Sequence, residues 1–277
     1  MREEATWTQR RGSLASVIAL CVVTGAPAAG EARTVKAAVL RSQGTQFLGM
    51  TIWPELNAGW SQFGNVPVQI DYTSLAGYDW TADDIAATGA DVLIFSTPGF
   101  LHHTDAEINA IIDYVQAGHG LIITYDDFLY NRRALAPLVG LSEAIRLGTS
   151  AVSDPMYFDL LFPSHPLFAR VSDPYMSGVA FQAWPAWTGQ WLLDGGTVLA
   201  NMYTQVIPPD AGIIVKETPV WRGVYFSHYI ENKADGANFQ DMQVFYNALV
   251  WAGTPEPGGL LLALAGTALL VRKRRRR

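Results

Sequence analysis

Asp126 and Asp127 stand side by side after the apolar run Leu121-Ile122-Ile123-Thr124-Tyr125, and His228 closes a second run, Gly223-Val224-Tyr225-Phe226-Ser227. Adjacent carboxylates can hold a metal, grip sugar hydroxyls, or divide general acid and base work between them, and histidine changes charge nearest neutral pH. The same residues also suit a plainer role. Asp is a strong helix N-cap in a solvated loop, and a histidine at a strand end can simply be hydrogen-bonded. His102-His103 with Asp105 invites a metal reading, but neighbouring histidines of an extended chain point apart and no HxH or HxxxH spacing supports it, so helix-entry residues are the better expectation. His165 before Pro166 reads as a turn residue. Trp184, Trp187 and Trp191 fall within eight residues of a Pro- and Gly-broken stretch. They read as a stacking platform for sugars, with Trp184 and Trp187 as its ligand-binding rings, or as a loop folding its rings onto the core.

The elements that must position these groups follow from periodicity. Val35 to Leu40, Val66 to Tyr72, Asp91 to Ser96 and Leu121 to Tyr125 read as strands, the last two nearly all apolar, as strands covered on both faces are. A helical stretch around Gln46 to Trp60 is interrupted by Pro54, and Thr81 to Ala87 reads as a short helix. Thr104 and Glu107 form a capping box that opens a helix with Ile108, Ile111, Ile112 and Val115 on one face and Gly118 past its end. Strand, helix, strand in this rhythm predicts right-handed βαβ units. The fold class expected is α/β, a flavodoxin-like parallel sheet with helices on both faces. Asp154 to Arg170 is expected to form a lobe or long insertion. Further strands are expected at Thr197 to Met202, Gly212 to Glu217 and Gly223 to His228, and a last helix from Phe239 to Ala252. In such sheets ligands favour the crevice beyond the carboxyl ends of the strands, which places Gly99, Tyr125, Asp126, Asp127 and His228 there.

The ends of the chain carry a different kind of signal. Arg10 and Arg11 precede an apolar run from Leu14 to Val23 and the small residues Gly25 to Gly30. This is the layout of a signal peptide over residues 1–32, too short to span a bilayer stably. Cys21 is the only cysteine and lies within it, preceded by Leu20, so lipid attachment is not expected and the mature chain would hold no thiol. At the other end, Thr254-Pro255-Glu256-Pro257 leads into the fourteen apolar or small residues Gly258 to Val271, and six cations close the chain. This order resembles the PEP-CTERM sorting signal, over residues 254–277. The resemblance implies processing near Pro255, Glu256 and Pro257 by an exosortase-type enzyme, with transient membrane association through the short helix and delivery to the cell envelope, surface or extracellular matrix. The terminal cations would hold that end on the cytoplasmic side.

Residues 33–253 are long enough for one domain with a sizeable core. They contain ten Lys/Arg and twenty-one Asp/Glu, a net of −11, which disfavours a phosphate backbone as partner; no nucleic acid is expected. No cofactor and no metal is indicated.

Within that span, "ADVLIFSTPGFLHHTDAEINAIIDYVQAGHGLIITYDD" resembles the middle of a class I glutamine-amidotransferase-like domain, nearest the trehalose-utilisation-like branch. Tyr114 to Gly120 matches its helix-ending phrase, His165-Pro166 its "HP" segment, and Gly223 to His228 its closing strand. In the family a cysteine sits on the turn where Tyr125 stands here, so glutaminase chemistry is excluded by the missing nucleophile. His228 lies near the family's catalytic histidine, with Glu231 one residue later than the family's acid, and Ser96 to Gly99 occupy the place of the oxyanion loop. The function expected is a non-catalytic, surface-exported domain for binding or structure, with extracellular polysaccharide as a candidate partner. The alternative is a carbohydrate-active hydrolase using Asp126 or Asp127 with His228.

Overall fold

The computed structural model describes residues 34–41, 55–56, 63–64, 68–76, 80–96, 103–124, 128, 130–143, 150–151, 156–179, 182–183, 193–203, 210–232 and 236–254. Both terminal signals except Thr254, the helical stretch expected around Pro54 except for two residues, and the tryptophan segment from Trp184 onward lie outside them.

Strands β1 (Val35–Arg41), β2 (Val68–Ala76), β3 (Val92–Ser96) and β4 (Gly120–Thr124) run parallel, and β11 (Arg222–Phe226) joins them parallel beside β4. Beyond β11 the sheet turns antiparallel through β10 (Asp210–Glu217), β9 (Thr197–Tyr203), β6 (Met156–Leu160) and β7 (Tyr175–Ser177). The described strands thus make a nine-stranded sheet in the order β2-β1-β3-β4-β11-β10-β9-β6-β7. Two further strands, β5 (Ser150–Ala151) and β8 (Gln182–Ala183), pair with each other alone. The order β2-β1-β3-β4 is that of flavodoxin-like sheets, with the switch point between β1 and β3.

Alternation sorts the side chains of the central strands onto two faces. On one face, Val39, Ile94, Ile122, Val224 and Phe226 meet Val244, Phe245, Ala248 and Leu249 of helix α3 (Phe239–Ala252). On the other, Leu93, Phe95, Leu121, Ile123 and Tyr225 meet Ile85 of helix α1 (Ala82–Ala87), Ile108, Ile111 and Val115 of helix α2 (Asp105–Gln116), and the 3₁₀ segment Tyr130–Val139. Each fully buried aliphatic or aromatic side chain of this kind stabilises by about 1.5–3 kcal/mol.

The helices begin where their caps dictate. Thr81 with Asp84, Thr104 with Glu107 and Asn238 with Asp241 each form a reciprocal capping box. Gly118 follows α2 at φ 115°, a conformation that glycine takes without strain.

The stretch Asp154 to Arg170 belongs to a long insertion between the neighbouring strands β4 and β11, and it does not stand apart as a lobe, because it begins with β6, hydrogen-bonded between β9 and β7. Its burial alternates from Met156 to Leu160, the pattern of a strand covered on one face, which a search for continuous apolar runs passes over. The flavodoxin-like α/β class expected is the one found, with the sheet made mixed by β10, β9, β6 and β7, which add antiparallel on the side of β11 away from β4.

Candidate functional site

At the carboxyl ends of the strands, where a crevice is expected, Ser96 of β3 and Thr124 of β4 sit opposite one another in register, with Phe226 of β11 next to Thr124. Gly99, Tyr125, Asp126 and Asp127 lie outside the described residues, as do Trp184 and Trp187. The described residues there are the strand ends and what packs on them. Thr124 Oγ1 donates to Glu231 Oε1 at 2.7 Å, and both residues are fully buried. Ser96 Oγ is buried beside them with no hydrogen-bond partner. Past β4, Phe128 and Tyr130 both take left-handed backbone, φ 52° and 57°. For bulky residues this costs about 1–2 kcal/mol each, strain held at the carboxyl end of a central strand.

His228 is two residues past Phe226 and so shares its face. Its ring is 0 % exposed, 4.8 Å from that of Phe158 and edge-on to Phe226 at 6.1 Å. Nε2 lies 3.5 Å from the Tyr175 hydroxyl and 3.9 Å from Asp241 Oδ1. Tyr175 donates its only proton to Asp241 Oδ1. The contact with His228 therefore needs a proton on Nε2, and Nδ1 has no partner. Asp241 Oδ2 meanwhile accepts from Gly178 N at 2.9 Å and Asn238 N at 2.8 Å, so one carboxylate caps α3, ties down the loop after β7 and anchors Tyr175. Burial first, then the charge and hydrogen bond of Asp241, push the Tyr175 hydroxyl well above the ordinary tyrosine range.

A second buried group lies on the opposite face, above Phe95. His103 stacks on Trp80 at 5.3 Å and leans on Phe95 at 5.2 Å, with Nδ1 3.8 Å from Glu107 Oε2. Burial lowers its pKa, and Glu107 offsets this only in part. Glu107 is occupied as the partner of Thr104 in the capping box. Asp105 accepts from Asn131 Nδ2 at 3.2 Å, so it turns toward the 3₁₀ segment. His165 caps the 3₁₀ turn Pro166–Phe168, its Nδ1 accepting from Leu167 N at 3.2 Å, and its pKa is lowered by burial above all. Among the described residues no three His, Cys, Asp or Glu side chains gather as metal ligands.

Of the site residues expected from sequence, the described ones are thus represented by His228, held in a packed pocket with Tyr175 and Asp241. Neither partner was singled out by its residue type or spacing. Asp241 does carry a local signal, as the third position of the box opened by Asn238, but that signal speaks of a helix start. Glu231 reaches Thr124 across the top of the sheet, 107 residues away in the chain.

No protein-family model matches the chain, and no curated protein matches it in sequence. Solved structures do match in shape. A protein designated ThuA-like from Bacteroides uniformis superposes with a TM-score of 0.56 at 14 % identity, over 80 % of this chain and 92 % of its own. A cytoplasmic protein from Salmonella typhimurium gives 0.54 at 14 %, over 79 % and 99 %. A cold-adapted β-galactosidase from Rahnella gives 0.50 at 16 %, over 78 % of this chain but 31 % of that enzyme. Identities this low speak to architecture and not to activity. The chain has the fold of the ThuA-like proteins, a flavodoxin-like, amidotransferase-like α/β sheet with an antiparallel extension.

Proposed function

We propose that the chain is an exported protein, sorted to the cell surface or matrix by its Pro255-Glu256-Pro257 tail, whose domain binds or supports envelope material and does not catalyse. Extracellular polysaccharide is the partner class that this destination favours. One observation carries the non-catalytic reading. The histidine that stands nearest the family's catalytic position is fully buried, with its Nε2 turned to Tyr175 and Asp241 and away from solvent. A general base must come within hydrogen-bond reach of the proton it takes. The domain's net acidity further sets it against anionic ligands and suits neutral ones.

The test is a thermal-shift and pull-down series of the purified chain against neutral and acidic polysaccharides, run beside glycosidase and esterase assays. A ligand at about 100 times its dissociation constant adds roughly 2.7 kcal/mol. Binding without turnover is the expected result. Turnover that collapses in Asp126→Asn, Asp127→Asn and His228→Gln alike would overturn the reading in favour of the hydrolase. Sorting is tested apart from this, by replacing Pro255, Glu256 and Pro257 with alanine in a host that has an exosortase. Retention of the unprocessed chain in the membrane is expected, and unchanged release would refute it.

A further inference from the structure

A groove of about 420 Å³ runs along α3 at the end of the sheet opposite the crevice, walled by Phe63, Pro166, Tyr246, Val250 and Trp251. That volume is in the range of ligand sites. Arg170 also lines it, and two of its polar side chains, Asn247 and Arg222, are occupied within the protein. Asn247 Nδ2 donates to the carbonyls of Leu167 and Ala169, both at 2.9 Å, and its Oδ1 accepts from Gln243 at 3.0 Å. Arg222 gives Nε and Nη2 to Glu217 and Nη1 to the carbonyls of Trp251 at 3.1 Å and Thr254 at 2.7 Å. Its guanidinium also lies 5.0 Å from the centre of the Trp251 ring, covering one face of it. An occupant would therefore meet Asn247 and Arg222 with their hydrogen bonds already made, and an apolar one loses nothing by their being made.

Thr254 is itself part of the groove wall, and Arg222 holds its carbonyl. The chain thus leaves the domain at the groove, and four residues later begins the aliphatic run Gly258 to Val271. A run of this composition needs cover from water whenever it is outside a bilayer. Tethered by so short a connection, it meets the groove at an effective concentration in the millimolar range. Its six terminal cations face a domain of net charge −11. We propose that the groove along α3 receives the chain's own apolar run, residues 258–271, and releases it when the run enters a membrane. The proposal rests on the export reading in one respect only, that the run has a membrane to enter.

The test uses the full chain with Cys21→Ser, so that introduced cysteines are the only thiols. Val250→Cys with Leu262→Cys is compared with Asp113→Cys and Leu262→Cys, where Asp113 is exposed on α2 across the sheet. Under mild oxidation the 250–262 pair is expected to close within one chain on the order of tenfold faster than the 113–262 pair, as a docked segment requires. Adding phosphatidylglycerol vesicles should slow the closure, with the chain co-sedimenting. Equal rates for the two pairs overturn the docking. Disulfides that form between chains overturn it in favour of a second copy as occupant. Fast closure that vesicles do not alter, with no co-sedimentation, leaves the docking standing and removes the membrane reading instead. Co-sedimentation without preferential closure does the reverse.

Discussion

Tyr175→Phe removes one oxygen atom and tests whether the Tyr175–His228–Asp241 group is a structural network. The hydroxyl is fully buried, donates to Asp241 and faces His228 Nε2 at 3.5 Å. Phenylalanine keeps the packing on Phe158, whose ring lies 4.9 Å away, so little apolar area is lost. What is lost is a donor to a buried carboxylate and the acceptor facing a buried imidazole. Leaving such groups short of a partner costs about 1–3 kcal/mol, and more when one is charged. Asp241 keeps its two backbone donors, which holds the expected loss to about 2–3 kcal/mol. For a domain of this size each kcal/mol moves Tm by about 2–4 °C, so a fall of about 4–12 °C is expected. Urea and thermal unfolding followed by circular dichroism measure it. A double-mutant cycle with Asp241→Asn should return a coupling of about 0.5–3 kcal/mol. The pH dependence adds a second readout. Because the folded-state pKa of Tyr175 is raised, its contribution is complete below the unfolded value near 10 and is lost as pH climbs above it. Wild type should therefore lose stability above about pH 10 more steeply than the Phe variant. A cost below about 0.5 kcal/mol with no coupling would refute the network and return His228 to the list of functional candidates.

Three further outcomes are expected. Burial lowers the pKa of both His103 and His165, so the unfolded chain takes up protons first; stability should fall as pH drops below about 6.5, and His103→Gln should flatten that slope in pH-dependent urea titrations. A Cβ at Gly223 would lie 2.0 Å from the Leu138 carbonyl oxygen, backbone against backbone, so Gly223→Ala should cost about 3 kcal/mol or prevent folding, read as Tm or soluble yield, whereas Asp113→Ala on the α2 surface should stay within about 0.5 kcal/mol. Arg222→Met keeps the stem against Trp251 but frees Glu217 and the carbonyls of Trp251 and Thr254; amide exchange in the last turn of α3 should quicken before that of the sheet.

The elements most legible in the sequence are those whose evidence is local. The box of Thr104 and Glu107 and the isoleucine stripe after it fix α2, and the apolar runs ending at Ser96 and Thr124 fix β3 and β4, because caps and periodicity are properties of a few neighbouring residues. Pairing is not such a property. Nothing in Arg222 to Phe226 says that this strand lies between β4 and β10, and the alternating run from Met156 to Leu160 does not announce that it extends the same sheet. The candidate site divides in the same way. His228 is legible as a histidine at a strand end, but its partners come from 53 and 13 residues away, Tyr175 on an edge strand and Asp241 in a cap. A strand-end histidine in a crevice and one in a core have the same sequence signature, and the difference lies in what covers them.

The place of β11 has a consequence for how the chain is made. It is a middle strand of the sheet, yet among the described strands it is the last in sequence, ending at Phe226 of a chain whose N-terminal end is synthesised first. Until those residues arrive, β4 is an open edge of fully buried-type residues, Gly120 to Thr124, and the antiparallel strands β6, β7, β9 and β10 have no parallel half to join. Such edges template wrong pairings between chains. Closure across a separation of about a hundred residues is also slow, because the loop entropy is lost before the pairing is gained. The growing chain therefore passes through a stage in which it is two unfinished half-sheets, and it is during that interval, rather than in the finished fold, that it most needs to be kept apart from its copies.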